Sequence, residues 1–131
     1  MKLSAFIVTL CLFLANCERD KYVERIGMVQ IENFNIADTV LQNENVPITI
    51  KASANNGCWR DLFVEFKKVN PFEYSVKSFG TFSCYEGGCA CPAVMVYHDT
   101  IIDFLPNQKG TYIIQFEKYL NTIVTDTLIV R

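Results

Sequence analysis

The chain has 131 residues, of which 50% are hydrophobic, and its 12 Lys and Arg against 14 Asp and Glu give a formal net charge of −2. This length fits one domain with its own core, and the charge balance excludes the clustered basic surface that nucleic-acid binding requires. Ten Phe and six Tyr, together with many β-branched residues, favour strands over helices.

The chain opens with a pattern typical of an export signal. Lys2 precedes an apolar run of thirteen residues, Leu3–Ala15, which is shorter than the roughly 20 residues that a membrane-spanning helix needs. The run ends in Leu14-Ala15-Asn16-Cys17, which resembles the lipobox of bacterial lipoproteins. Asn16 stands where the pattern prefers Gly, Ala or Ser, a departure found among lipoproteins of the Bacteroidota. The resemblance implies a signal peptide over residues 1–16 and lipidation of Cys17, and alternatives are an ordinary secretory signal or an uncleaved apolar terminus.

The first part of the mature chain is expected to be a tether followed by two strands. Residues 17–27 are polar and show no periodicity, which favours an extended tether. Strand A is predicted over Met28–Ile36, with a phase change before Phe34 that indicates a bulge. Strand B is predicted over Val46–Ala54, because apolar and polar residues alternate there over nine positions.

The rest of the chain predicts five more strands. Strand C carries Leu62, Val64 and Phe66 inward. Strand D runs from Phe72 to Cys84 with a bulge or bend at Gly80, and strand E covers Ala93–Leu105 with a break near His98 and Asp99. Strand F covers Thr111–Glu117 with Tyr112, Ile114 and Phe116 inward, and strand G covers Thr122–Arg131 with Leu128 and Val130 inward. Seven short strands separated by turn residues predict an all-β, antiparallel sandwich over residues 28–131.

The segment Pro106-Asn107-Gln108-Lys109-Gly110-Thr111-Tyr112 resembles the corner before strand F in immunoglobulin-like (Ig-like) domains. The resemblance implies that the Tyr112 hydroxyl bonds to the backbone a few residues upstream. Ile114 stands where antibody domains have a cysteine, so the usual disulfide between the sheets is not expected. The likeness is to the Ig-like modules of bacterial envelopes, and it implies a fold without implying a function.

Four cysteines remain when Cys11 leaves with the signal and Cys17 carries lipid: Cys58, Cys84, Cys89 and Cys91. An even number in an exported chain favours disulfides. In an Ig-like sandwich the loop with Cys58 and the loop with the other three lie at the same end. We therefore expect Cys58 to pair with one of the three, and the remaining two to pair with each other.

Catalytic and metal-binding alternatives have less support. Zinc held by these cysteines, with or without His98, is conceivable, but C-x₄-C-x-C matches no common zinc pattern. A redox pair would favour C-x-x-C, which the chain lacks. His98 has no motif that would make it an acid or base, and the acidic residues show no glycosidase pair. We expect no enzyme activity, no metal and no cofactor.

One weak binding surface emerges from residues near the cysteines: Trp59, Arg60, Phe63 and Tyr85. The competing interpretation of Trp59 is a core residue that packs on a disulfide. The leading functional hypothesis is a lipid-anchored cell-envelope module, placed in the outer membrane on its periplasmic or surface side, that binds a protein or glycan. The alternatives are a disulfide-stiffened inhibitor or accessory subunit of an envelope enzyme and, with less support, an enzyme or thiol-redox protein.

Overall fold

A computed structural model describes residues 21–119 and 121–131. The expected signal peptide and the lipidation site at Cys17 lie outside the described residues. The described chain forms eight strands: β1 (Tyr22–Asn35), β2 (Thr39–Val40), β3 (Val46–Ala54), β4 (Trp59–Asn70), β5 (Glu73–Tyr85), β6 (Val96–Phe104), β7 (Gly110–Tyr119) and β8 (Thr122–Val130). No helix in these two ranges is long and apolar enough to cross a membrane.

The prediction of an all-β fold is confirmed, but that of a seven-stranded antiparallel Ig-like sandwich is not. The strands form one mixed sheet in the order β2-β8-β7-β5-β1-β3-β6, with β4 paired to β5, and the sheet curls into a half-barrel. Two pairs, β5 with β7 and β2 with β8, run parallel. Alternating hydrophobicity defines the faces of a strand and leaves its direction relative to a neighbour open, which is why the sequence did not reveal these pairs.

Strand β5 is where the sheet divides. It pairs with β4 along one edge, while its other edge pairs with β7 over Glu73–Val76 and with β1 over Ser78–Tyr85. Strand β1 then continues beyond β5 and pairs with β3 over Gln30–Asn35. The two halves of the sheet thus face each other across a shared core.

That core is built from the inward positions of both halves. Ile31, Ile48 and Ile50 come from β1 and β3, and the other half supplies Val76, Ile114, Phe116 and Leu128. Tyr112, Ile114 and Phe116, predicted to point inward, are buried, as are Leu128 and Val130. A second, smaller cluster of Val29, Ala54 and Leu62 lies beside Trp59 and Val96.

Local predictions have mixed outcomes. The bulge in the first strand is confirmed, because its register with β3 shifts between Ile31 and Asn33. The bulge or bend expected at Gly80 is confirmed as a bulge in the β4–β5 pair, because the register shifts between Arg60 and Phe63, opposite Gly80, with the extra residue on β4. The break near His98 is wrong, since β6 keeps an unbroken register with β3 there. Strand β1 also begins at Tyr22, six residues before the expected Met28, so the second half of the expected tether is paired strand.

The resemblance at Tyr112 is confirmed in its geometry. Its hydroxyl donates to the carbonyl oxygen of Gln108 at 3.0 Å, and the side chain is 2% exposed. The bond fixes the turn that precedes β7. The hydrogen bond expected from the resemblance is therefore present, although the topology of the sheet is not that of an Ig-like sandwich.

Candidate functional site

The four cysteines form two disulfides in the expected pattern. Cys58 pairs with Cys91 at a Cα separation of 5.2 Å, and Cys84 pairs with Cys89 at 5.4 Å. Gly57 donates its backbone N–H to the Pro92 carbonyl at 2.8 Å beside the first of these bonds. The long loop between β5 and β6 is therefore fastened to the β3–β4 turn.

Trp59 lies on the core side of the sheet. It stands opposite Phe82 in the β4–β5 register, and the two rings meet edge to face with centroids 5.2 Å apart. The indole ring covers Gly27 of β1 and Gly80 of β5. This position supports the interpretation of Trp59 as a packing residue. The expected packing partner was a disulfide, whereas the ring packs on Gly27, Gly80 and Phe82.

The other three expected binding residues share the opposite side of the sheet. Arg60 stands opposite Thr81 and Phe63 opposite Phe79, while Tyr85 stands opposite Tyr22 of β1. Directly paired residues point to the same side of a sheet. A register shift between Arg60 and Phe63, with Asp61 at a φ of 49°, places both side chains on this side.

We call this surface of β1, β5 and β4 the outer face. Its exposed apolar residues are Tyr22 (52% exposed), Ile26 (69%), Phe63 (43%) and Tyr85 (57%). Tyr22 and Tyr85 contact each other edge to face at 5.3 Å between centroids, and Phe63 stacks with Phe79 at 5.6 Å. Sequence reasoning missed Tyr22 and Ile26, although the spacing of Tyr22, Glu24, Ile26 and Met28 has the period of a strand.

The outer face also carries a local pair of charges. Arg60 forms an ion pair with Glu24 across β5, and its Nε donates to the Ser83 hydroxyl at 3.0 Å. Both charged side chains stay about half exposed. An exposed pair contributes little to stability, but it fixes the direction of the guanidinium among the apolar residues.

A separate cavity of about 140 Å³ lies where β1 and β3 pass the end of β7. Its lining includes Gln30, Ser53, Asn55, Trp59, Met95 and Tyr119. The Ser53 hydroxyl is buried, and within the described ranges it has no hydrogen-bond partner. Neither the cavity nor Ser53 stood out in the sequence, because a serine on the polar side of an alternating strand is ordinary.

The remaining chemical candidates are dispersed. His98 lies opposite Ala52 in a regular stretch of β6. Among residues 21–119 and 121–131, no group of three or more His, Cys, Asp or Glu side chains is arranged to hold a metal ion. Several carboxylates have structural partners: Glu73 accepts from Gln115 at 2.6 Å, and Asp103 accepts from Asn45 at 2.8 Å.

Comparisons with protein families, with curated protein sequences and with solved structures find no match for this chain.

Proposed function

We propose that the protein is a lipid-anchored module of a bacterial cell envelope that acts by binding a partner rather than by catalysis. Support for the anchor comes from the sequence: the positive Lys2, the apolar run Leu3–Ala15 and the lipobox-like Cys17. Acyl chains on Cys17 hold the domain at the membrane, and two or more chains are needed for stable anchoring. The outer membrane is the proposed location.

The observation that carries the binding role is the outer face. Four large apolar side chains, Tyr22, Ile26, Phe63 and Tyr85, are exposed on one side of three paired strands. Single exposed apolar residues are normal on a protein surface, whereas several on one face mark an interaction site. Aromatic residues beside an oriented Arg60 match the composition of binding hot spots.

A protein is the partner that this face fits best. The face is the surface of three paired strands, and Ile26 offers only aliphatic area. A glycan would be held chiefly by hydroxyl hydrogen bonds and by stacking on aromatic rings. Glycan binding is the alternative to protein binding, and the cross-linking experiment distinguishes the two.

The binding experiment compares two isoleucines of similar exposure on different parts of the sheet. Ile26 is 69% exposed on the outer face, and Ile101 is 63% exposed on β6. A photo-cross-linking amino acid is placed at each position in the full chain, in the envelope of the producing bacterium. We expect one defined protein adduct from position 26 and none from position 101, and we expect Phe63→Ser to abolish the adduct.

Equal labelling from both positions, or none from position 26, would contradict the proposed face. An adduct that glycosidases remove would identify a glycan partner instead. The anchor is tested separately by acyl-chain labelling of the full chain and of Cys17→Ser. We expect label on the first chain only.

A second role, inhibitor or accessory subunit of an envelope enzyme, is favoured by the loop that follows Tyr85. The two disulfides fasten this loop at Cys84, Cys89 and Cys91, next to the outer face. A loop held in one conformation loses little entropy on binding, which suits insertion into an enzyme cleft. Dose-dependent inhibition of a peptidase or lysozyme, lost in Cys84→Ser/Cys89→Ser, would support this role over a simple binding module.

A further inference from the structure

The turn between β3 and β4 contains Asn56-Gly57, the dipeptide in which asparagine deamidates most readily. In this reaction the backbone nitrogen of the following residue attacks the side-chain carbonyl carbon, and glycine leaves that nitrogen unshielded because it has no side chain. Asn56 is half-buried and Gly57 is exposed, so solvent reaches the turn. Whether the reaction takes place therefore depends on how the two reacting groups are held.

The attacking nitrogen is held by a hydrogen bond to another loop. Gly57 donates its backbone N–H to the carbonyl oxygen of Pro92 at 2.8 Å, and the same oxygen accepts from the N–H of Val94 at 2.9 Å. A backbone nitrogen must lose its proton to attack, and this hydrogen bond stabilises the proton and fixes the peptide plane. Attack on Asn56 therefore requires the bond between Gly57 and Pro92 to open first.

A disulfide lies directly beside this hydrogen bond. Cys58 follows Gly57 and Cys91 precedes Pro92, so the covalent bond and the hydrogen bond join adjacent positions of the same two segments. The Cα atoms of the two cysteines are 5.2 Å apart. When the disulfide is intact, the loop between β5 and β6 cannot leave the turn, and the hydrogen bond reforms quickly after each opening.

The carbonyl group under attack, in contrast, is already polarised. Cys58 donates its backbone N–H to Oδ1 of Asn56 at 3.0 Å. Negative charge develops on this oxygen as the Gly57 nitrogen attacks the adjacent carbon, and a backbone donor aimed at such an oxygen lowers the barrier. The turn thus combines an activated side-chain carbonyl with a nitrogen that is hydrogen-bonded elsewhere.

We propose that Asn56 is a deamidation site that the Cys58–Cys91 disulfide keeps inactive and that a dithiol reductant opens. Reduction transfers two electrons and two protons from the dithiol to the two cysteines, and the dithiol becomes a disulfide. The Gly57 nitrogen then forms a bond to Cγ of Asn56, and Nδ2 leaves with the proton of the Gly57 nitrogen as ammonia. Water opens the resulting succinimide ring to aspartate or isoaspartate at position 56.

The product records that the disulfide was once open. Either product places a carboxylate in the turn, and isoaspartate also lengthens the main chain between β3 and β4 by one carbon atom. Cys58 then no longer stands opposite Cys91 as it does in the unmodified chain. This modification site is independent of the lipid anchor and of the partner proposed for the outer face.

The experiment follows Asn56 by peptide mass spectrometry while the full chain is incubated at one mildly alkaline pH. A synthetic peptide of residues 54–61 with its cysteine alkylated gives the rate of the same dipeptide without a fold. We expect the oxidised chain to deamidate at Asn56 at least about ten-fold more slowly than this peptide, because attack waits for the loop to open. Cys58→Ser/Cys91→Ser, and the parent chain treated with dithiothreitol, are expected to come within about three-fold of the peptide.

Two variants separate the disulfide from a general loss of stability. Cys84→Ser/Cys89→Ser removes the other disulfide, which has no part in the link between Gly57 and Pro92. Ile114→Ala removes a fully buried side chain of β7 and lowers the stability of the whole fold. Both variants keep the Cys58–Cys91 bond, so both are expected to deamidate at Asn56 as slowly as the oxidised parent.

Three results would overturn the proposal: an oxidised chain that deamidates at Asn56 as fast as the peptide, no acceleration in Cys58→Ser/Cys91→Ser, or equal acceleration in Ile114→Ala. The first comparison needs no variant, so it decides the matter even where a double variant does not fold. None of these results bears on the cross-linking at Ile26, so the two proposals fail separately.

Discussion

A Cβ atom on Gly27 would lie 2.8 Å from the Cη2 atom of Trp59, because the indole ring covers the backbone of β1 at this position. Position 27 therefore has no room for a side chain beneath the indole ring. Gly80, the register partner of Gly27, lies under the same ring, with 3.3 Å between its virtual Cβ and Cε3 of Trp59. One tryptophan thus joins three strands, since it belongs to β4 and covers β1 and β5.

Gly27→Ala is expected to lower the free energy of unfolding by about 1–3 kcal/mol through overpacking. Gly80→Ala is expected to cost less, because its contacts leave more room. In the background of Trp59→Leu, the change at Gly27 should become neutral or stabilising, as alanine is normally the better residue in a strand. Urea unfolding of the parent, Gly27→Ala, Trp59→Leu and the double variant measures this coupling. If Gly27→Ala still lowers the free energy of unfolding in the Trp59→Leu background, the indole ring is not the cause of the loss.

The two disulfides are expected to differ in their contribution to stability. Cys58 and Cys91 are 33 residues apart, and Cys84 and Cys89 are 5 apart. The loop-entropy relation gives about 4 kcal/mol for the longer loop and about 2 kcal/mol for the shorter. Urea unfolding of Cys58→Ser/Cys91→Ser and Cys84→Ser/Cys89→Ser tests the order, and a larger loss from the second double variant would contradict it.

Tyr112→Phe is expected to destabilise the fold by about 1–2 kcal/mol. The change removes the bond from the buried Tyr112 hydroxyl to the Gln108 carbonyl, which fixes the turn before β7. Tyr97→Phe is the control, because Tyr97 is exposed on β6. Thermal unfolding of both variants should show a lower Tm for the first alone, and equal values would mean that the corner bond contributes nothing.

Tyr74 is expected to make stability depend on alkaline pH. Burial, and secondarily the charge of Tyr112, raise the pKa of Tyr74 above its ordinary value of 10.0. Because the folded protein holds this phenolic proton more tightly than the unfolded chain, the stabilisation is complete below the unfolded pKa and is lost as pH rises through the folded pKa.

Urea midpoints measured from about pH 8 to about pH 11 should therefore fall less steeply for Tyr74→Phe than for the parent chain. The phenylalanine ring keeps the stack on Phe66, whose centroid lies 4.9 Å away. Parallel slopes for Tyr74→Phe and the parent would refute the prediction.

The candidate site was only partly readable from the sequence. The sequence predicts that Trp59, Arg60, Phe63 and Tyr85 share one surface. The last three do lie together on the outer face, but Trp59 lies on the opposite side of the sheet. Trp59 and Arg60 are adjacent in β4, so their side chains point to opposite sides of the sheet. The register shift between Arg60 and Phe63 then places Phe63 on the side of Arg60, and simple alternation would have placed it on the side of Trp59. Tyr22 and Ile26 were assigned to a tether because their strand partners in β5 lie more than 50 residues away in the sequence.

The sequence by itself determined the all-β class, the inward residues of β3 and β7, the bulge in β1 and the hydrogen bond of Tyr112. These features depend on alternation over a few residues or on the chemistry of single side chains. Only the tertiary structure decided the parallel pairing of β5 with β7, the division of β5 between β7 and β1, the pairing of Cys58 with Cys91, and the place of Tyr22 and Ile26 on the outer face. Backbone groups can pair with any strand that reaches them, so the choice of partner depends on how all the buried faces pack together at once.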